Sequence, residues 1–251
     1  RDKAHLLASR SYVSYSDETL KEKLENNPYT FLHIINPEYK KKNKKSGIEK
    51  FKLVKEKFEN FLTNGNLIQD KKAVFYLYQQ QKDSHTFQGI IAACSVHDYL
   101  NGNIKIHEHT LTEREEMFKN YLNVTGFNAD PVLLCYKATE SIDSIIKKYA
   151  KSRPEYEFRT TNKSLHKLWL IHLEVDIKTI CNTFARIGDI YIADGHHRTS
   201  SSALLSQQKN EADENNCNFF MSFLIAENQL NILNFNRLVN SLNGLTVKEF
   251  I

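Results

Sequence analysis

The sequence predicts a mixed α/β fold (α+β in the broader sense): a mixed sheet with hairpins and flanking helices. Three observations carry this. β-rich runs come in pairs joined by polar turns. Apolar residues elsewhere recur at helical spacing. Helices and strands interleave along the whole chain, which excludes an all-parallel sheet.

The elements follow in order. Asp17 to Leu24 reads as a short helix closed by Asn26–Asn27–Pro28. Tyr29 to Ile35 is strand-like and stops at Pro37. Ile48, Phe51, Val54, Phe58, Phe61 and Leu62 form a helical stripe that Asn64–Gly65 should cap. Ala73–Gln80 and Phe87–Val96 predict a hairpin. Ile104 and Ile106 predict a short strand. Thr112 with Glu115 has the spacing of a capping box, opening a helix through Leu122 with Met117, Phe118, Tyr121 and Leu122 on its apolar face. Pro131–Tyr136 reads as a strand, and Ile142, Ile145, Ile146 and Tyr149 as a helix stripe. Phe158–Thr160 and Leu168–Leu173 read as strands, with Trp169 in the core. Ile177, Ile180, Cys181 and Phe184 mark a helix ending near Gly188. A strand from Ile190 then meets a glycine turn, and Ser201–Gln208 reads as helix. Phe219–Ala226 and Leu230–Phe235 predict a second hairpin.

The whole chain narrows the class. It has 251 residues, 41% apolar and 25% charged, enough for one large domain or two small ones with a real core. Four cysteines without a CxxC pair exclude a zinc ribbon and a disulfide scaffold, and suit a reducing, cytoplasmic setting. Cys94 and Cys135, in apolar runs, read as small buried hydrophobes. No stretch is long and apolar enough to span a bilayer, and no secretory leader is visible. The opening Arg1 and the closing Phe250–Ile251 predict missing termini, above all at the carboxyl end. The net charge of +4 is concentrated in Lys40, Lys41, Lys42, Lys44 and Lys45. These read as a solvated loop; without interleaved aromatics they do not make a nucleic-acid surface.

The chemistry concentrates at Asp194–Gly195–His196–His197–Arg198–Thr199–Ser200. Strand, glycine turn and helix start present free backbone N–H groups to an anion, and Arg198 adds a planar cationic fork. This predicts a phosphate site over Gly195 to Ser200, with Asp194 able to hold a divalent metal. The plainer reading is an N-cap aspartate followed by two partly buried histidines. A second cluster, His107–Glu108–His109, sits at another strand-to-helix junction. Glu108 there is a candidate general base ordered by its histidines, although spacing alone favours a solvent-facing glutamate. The four histidines show no HxxxH spacing, which argues against a zinc or iron centre. Asn27, His33 and Arg237 sit at element ends within reach of a ligand.

Ile192–Ala193–Asp194–Gly195–His196–His197–Arg198 resembles the signature of the ParB/sulfiredoxin-like superfamily, in its free-serine kinase branch and that branch's large bacterial relatives. Asn27–Pro28–Tyr29–Thr30–Phe31–Leu32–His33, Lys105–Ile106–His107–Glu108–His109–Thr110 and Asn236–Arg237–Leu238–Val239 resemble further signatures of that branch, in the same order. The resemblance implies a ParB/sulfiredoxin-like core over residues 1–251, with an N-terminal extension of about 1–85. It implies a transferase of serine metabolism: a kinase that passes a phosphate from ATP or ADP, with Mg2+, to the hydroxyl of free L-serine or a similar small hydroxy metabolite. Glu108 is then the base and catalytic with Asp194, Asp194 also holds magnesium, and Gly195 to Ser200 bind the nucleotide phosphates. The resemblance does not place the serine-binding residues; His107, His109, Asn27, His33 and Arg237 are the candidates for the substrate. The sequence departs from the branch at Glu115–Glu116–Met117–Phe118, where relatives carry an Asp–Arg pair. The alternative class is a ParB-like nucleotide-binding switch or nucleic-acid-associated module without turnover; no helix-turn-helix supports it. Sulfiredoxin-like chemistry lacks its cysteine beside the motif.

Overall fold

The computed structural model describes residues 2–41, 44–209, 217–234, 236 and 238–250. Helices come first: α1 (Ala4–Leu7), α2 (Asp17–Asn26), α3 (Leu32–Ile35) and α4 (Gly47–Thr63). The Ser16 hydroxyl accepts the Thr19 N–H, and Asp17 and Glu18 follow in the first turn of α2, both favourable at a helix start. Asn64 and Gly65 end α4 as expected, with Gly65 at φ +68°.

The predicted strand at Tyr29–Ile35 is instead a turn leading into α3. Asn27 dictates this: its side-chain oxygen accepts the Tyr29 N–H at 3.0 Å, while its amide donates to the Leu6 carbonyl at 2.6 Å. The local apolar content that suggested a strand is used to bury Leu32 and Ile34 completely, Ile34 in a cluster with Val54 and Phe61 of α4. Tertiary packing overrides β propensity.

The sheet follows, joined through β1 (Phe75–Lys82), β2 (His85–Ser95), α5 (Val96–Leu100), β3 (Ile104–Lys105), α6 (Thr112–Thr125), β4 (Val132–Tyr136), α7 (Glu140–Ala150), β5 (Tyr156–Arg159), β6 (Leu165–Ile171), α8 (Glu174–Phe184), β7 (Ile190–Asp194), α9 (His196–Gln208) and β8 (Phe219–Ala226); a last turn of helix, α10, spans Val247–Phe250. Among the described residues the sheet has eight strands in the order β3-β7-β4-β8-β2-β1-β6-β5. It is mixed: β3 with β7 and β4 with β8 are parallel, the other pairs antiparallel. The first strand lies within the span expected for an N-terminal extension. The β1–β2 hairpin turns on Asp83–Ser84, with Asp83 at φ 53°.

One face of the sheet supplies the core. Leu77, Ile90, Leu134, Trp169, Ile192 and Leu224 lie among Ile142, Ile145 and Ile146 of α7, Ile180 of α8 and Ala203 of α9. Trp169 also donates its indole N–H to the Ser152 carbonyl. At the end of α7, Asp176 accepts from Lys148 Nζ (2.7 Å) and Tyr149 Oη (2.9 Å). Burial pushes the Asp176 carboxyl up, but those two hydrogen bonds together with the charges of Lys148 and His172 outweigh it and hold the group below its usual range.

Two further expectations are corrected. Thr112 is the first residue of α6 and caps nothing; the Thr110 hydroxyl bonds the Glu115 carboxylate in its place. Leu230 to Asn234 do not pair as a second hairpin; a 3-10 turn at Glu227–Gln229 leads β8 out of the sheet, and Phe235 lies outside the described residues. Ile232 and Leu233 are left exposed there, with no strand partner among the described residues. No helix among the described residues is long and apolar enough to cross a membrane.

Gly89 sits where β2 crosses closest to β8. A Cβ there would lie 2.3 Å from the Leu224 carbonyl oxygen and 2.6 Å from the Phe223 ring. Backbone cannot yield cheaply, so Gly89→Ala should cost about 1–3 kcal/mol. Urea unfolding should show a midpoint clearly below wild type; an unchanged midpoint would contradict the packing described.

Candidate functional site

Strand pairing places the site. Because β3 and β7 run parallel, with Ile104 beside Ile190 and Lys105 beside Tyr191, both strands end on the same side of the sheet. The segment after β3 carries His107, Glu108 and His109; the segment after β7 carries the glycine turn. Ligand sites gather where adjacent strand ends diverge in this way. On the other flank β4 is antiparallel to β7, so its beginning lies beside the end of β7 and brings Asp130 to the same place. The β4–β7 register shifts between Leu133 and Leu134, leaving Ala193 as an extra residue on β7 just before Asp194.

Gly195 adopts φ 100° and forms the N-cap of α9, which starts at His196, earlier than the sequence suggested. Its carbonyl accepts from the N–H groups of Arg198 and Thr199. The N–H groups of His196 and His197 have no earlier helical carbonyl to reach. Asp194 is not an N-cap. Its carboxylate accepts from Arg198 Nη2 at 2.7 Å, and Asp130 binds Nη1 of the same guanidinium. The guanidinium folds over the glycine: a Cβ on Gly195 would meet Nε and Nη2 of Arg198 at 2.9 Å. Arg198 Nε and His197 Nδ1 are buried without partners among the described residues.

His196 is 5% exposed. The backbone N–H of His107 donates to its Nε2 at 3.4 Å, so the ring hydrogen belongs on Nδ1, which lies 3.6 Å from Glu108 Oε2. The His107 and His196 rings meet edge to face, centroids 4.4 Å apart. Burial, then the neighbouring His107, lowers the His196 pKa; Glu108 and Asp194 oppose the shift without reversing it.

Glu108 and the run from Asp194 to Arg198 line one cleft of about 780 Å3, walled on its other sides by α4, α6 and the loop at Ser9–Val13. The sequence pairing of Glu108 with the glycine turn is therefore met in space. Several expectations are not. Thr199 and Ser200 are buried, and their hydroxyls turn back to the Gly195 and His197 carbonyls rather than toward the cleft. Ser201 donates to the Glu115 carbonyl, and Ser202 to that of Arg198. These small hydroxyls let α9 lie close against α6. Asn27 and His33 bond each other through the Asn27 carbonyl and hold the N-terminal turn; they do not line the cleft, and neither do His107 and His109. Arg237 lies outside the described residues.

Other cleft residues escaped the sequence reading: Asp130, Arg10, Lys50 and Arg114. Asp130 sits in Asn128–Ala129–Asp130–Pro131, which reads only as a turn. Arg114 lies one residue before the Glu115–Phe118 stretch judged to lack an arginine. Only the pairing of the strands and the packing of α4 on α6 reveal them.

The family model described as a protein of unknown function, DUF1015, matches residues 1–251. The chain belongs to the DUF1015 family. No curated protein and no solved structure matches this DUF1015 chain.

The titration of His196 has a global consequence. Burial also lowers the pKa of His33 and His166 from the ordinary 6.5. The unfolded chain then takes up protons at these sites before the folded one does. Stability is complete above pH 6.5 and declines as pH falls from there through the lowered folded values. Thermal unfolding across pH 7.5 to 5.5 should show Tm falling with acidification; a flat or rising Tm would contradict the three burials.

Proposed function

We propose that this DUF1015 chain is a phosphotransferase that moves the terminal phosphate of ATP or ADP to the hydroxyl of a small hydroxy metabolite, free L-serine first among them. One observation carries the reading: Glu108, with its carboxylate 3.6 Å from the buried His196, shares a cleft with the N-terminus of α9. A general base and an anion-binding helix start across one gap are the parts that phosphoryl transfer needs, since its catalysis is positioning and charge neutralisation.

In this scheme the acceptor hydroxyl gives its proton to Glu108 as its oxygen bonds phosphorus. The bond from phosphorus to the bridging oxygen breaks, and the shortened nucleotide leaves with that oxygen's electron pair. Neutral His196, its Nδ1 3.6 Å from the carboxylate, would orient Glu108 as the ligand binds. The N–H groups of His196 and His197 face the transferring phosphate. Arg198 spreads its charge after exchanging carboxylate contacts for phosphate oxygens.

Magnesium fits the donors present. Asp130 and Asp194 are both largely exposed and converge on a point where the fold already keeps a cation, the Arg198 guanidinium. Two carboxylates with phosphate and water completing the shell is the usual provision for this ion, whose role when bound is to neutralise phosphate charge. Among the described residues no group of three or more His, Cys, Asp and Glu side chains is placed to hold a metal. A cysteine-based reaction gains no support: burial pushes the Cys94 thiol up to about 11, and none of the described residues lining the cleft is a cysteine.

Two measurements test the reading. Incubation with Mg2+, ATP or ADP and a panel of hydroxy amino acids, followed by phosphorus NMR, should give a phosphomonoester with serine. Nucleotide binding with no phosphomonoester from any acceptor would replace this function with a nucleotide-dependent switch. Glu108→Gln should lower turnover by about 10²- to 10⁴-fold while nucleotide affinity stays near wild type. Arg198→Met should weaken nucleotide binding instead. Full phosphotransfer by the Glu108→Gln protein would remove Glu108 as the base.

A further inference from the structure

The cleft carries its charge unevenly. Around α9 three carboxylates, Glu108, Asp130 and Asp194, outnumber the single Arg198 cation. The other walls carry Arg10 from the N-terminal loop, Lys50 from α4 and Arg114 from α6. Among the described residues none of these three has a carboxylate within salt-bridge distance. Of the acids beside them in sequence, Glu49 pairs with Lys45 and Lys52, Glu115 bonds Thr110 and Glu116 pairs with Lys119, while Glu113, next to Arg114 on α6, is exposed and makes no ion pair with it. Arg10 is also oriented, its guanidinium 4.8 Å above the Tyr15 ring and its backbone N–H donating to the Tyr15 hydroxyl.

Three cations from three separate elements line one cavity, with Arg10 and Arg114 exposed and Lys50 half-buried, beside a wall that includes Phe31, Phe51 and Tyr121. Isolated surface lysines need no partner. Cations that share one cavity can be bridged by a single multivalent anion. The cavity, at about 780 Å3, also far exceeds a free hydroxy amino acid and matches a nucleotide-sized ligand.

We propose that Arg10, Lys50 and Arg114 form a second anion subsite, taking a phosphate or pyrophosphate group of a small-molecule ligand on the walls supplied by the N-terminal loop, α4 and α6. The subsite rests on the phosphotransfer reading only in treating this cleft as the place where ligand binds. Its occupant is the inner phosphates of the nucleotide or a phosphate carried by the acceptor, and the test separates these sources.

The probe is pyrophosphate, titrated calorimetrically into the full chain at low salt without magnesium or acceptor, and then ATP under the same conditions. The variant combines Arg10→Met, Lys50→Met and Arg114→Met, which keep apolar stems. The control removes three cations outside the cleft: Lys55→Met, Lys147→Met and Lys151→Met. Pyrophosphate affinity should fall at least about 10-fold in the cleft variant and stay unchanged in the control. A parallel fall for ATP assigns the subsite to the nucleotide. Unchanged ATP affinity, with weakened binding of an O-phosphorylated amino acid, assigns it to the acceptor. If the triple variant fails to unfold cooperatively, the single changes at the exposed Arg10 and Arg114 carry the same test with a smaller loss. No pyrophosphate binding by wild type, or an equal loss in the control, overturns the proposal. Because turnover is never measured, intact subsite binding beside a failed phosphotransfer assay overturns only the phosphotransfer reading.

Discussion

A parallel pairing only two residues long, Ile104–Lys105 against Ile190–Tyr191, is the constraint on which the site depends. Reversed, it would send the Glu108 segment to the far side of the sheet from Gly195. So short a pairing at a sheet edge is weak in hydrogen bonds, and other contacts hold it. Ile104 and Ile192 are buried in the main core. Lys105 pairs with Asp189 at 3.2 Å, and the Ile190 N–H reaches back to the Asn103 carbonyl. With the strand ends fixed, His107 can give its N–H to His196, whose Nδ1 then lies 3.6 Å from the Glu108 carboxylate. Chain direction thus brings the two distant segments together around one imidazole.

The helix that follows is built for closeness rather than for hydrophobicity. Thr199, Ser200, Ser201 and Ser202 are all buried, an unusual load of hydroxyls for a helix interior. Each is satisfied by a carbonyl one turn earlier or, for Ser201, also on α6. This satisfaction removes the burial penalty while keeping the side chains small. The first turns of α9 are therefore held close by Thr199 to Ser202, with Ser201 tying them to α6.

The sequence made part of this legible. The Asp194–Arg198 run and the His–Glu pair stand out because so many polar groups share so few residues, and a strand-to-helix junction is visible from hydropathy alone. The hairpin at β1 and β2, the α4 stripe and its end at Asn64–Gly65 were equally open, since each is a local signal. What stayed hidden was set by neighbours far along the chain. Tyr29–Ile35 looks like a strand until Asn27 bonds to Leu6. Thr199 and Ser200 look like phosphate ligands until the packing of α9 buries them and returns their hydroxyls to its own backbone. Asp130 has no signal at all, because its role comes from an antiparallel pairing more than sixty residues distant in sequence.

The same hidden partners change how the glycine turn works. A bare phosphate arriving at Gly195 meets Asp130 and Asp194 before it meets a free guanidinium, for Arg198 already has both of its terminal nitrogens engaged. On the proposed reading, the internal carboxylates compete with an arriving anion for that cation. Two changes shift the balance: a second cation between the aspartates, or prior capture of the ligand elsewhere in the cleft, which raises its effective concentration at the turn. On the subsite proposal, Arg10, Lys50 and Arg114 would supply the second. A ligand with two anionic groups would then be favoured over one with a single group, since only the former could be held at a distance while Arg198 changes partners.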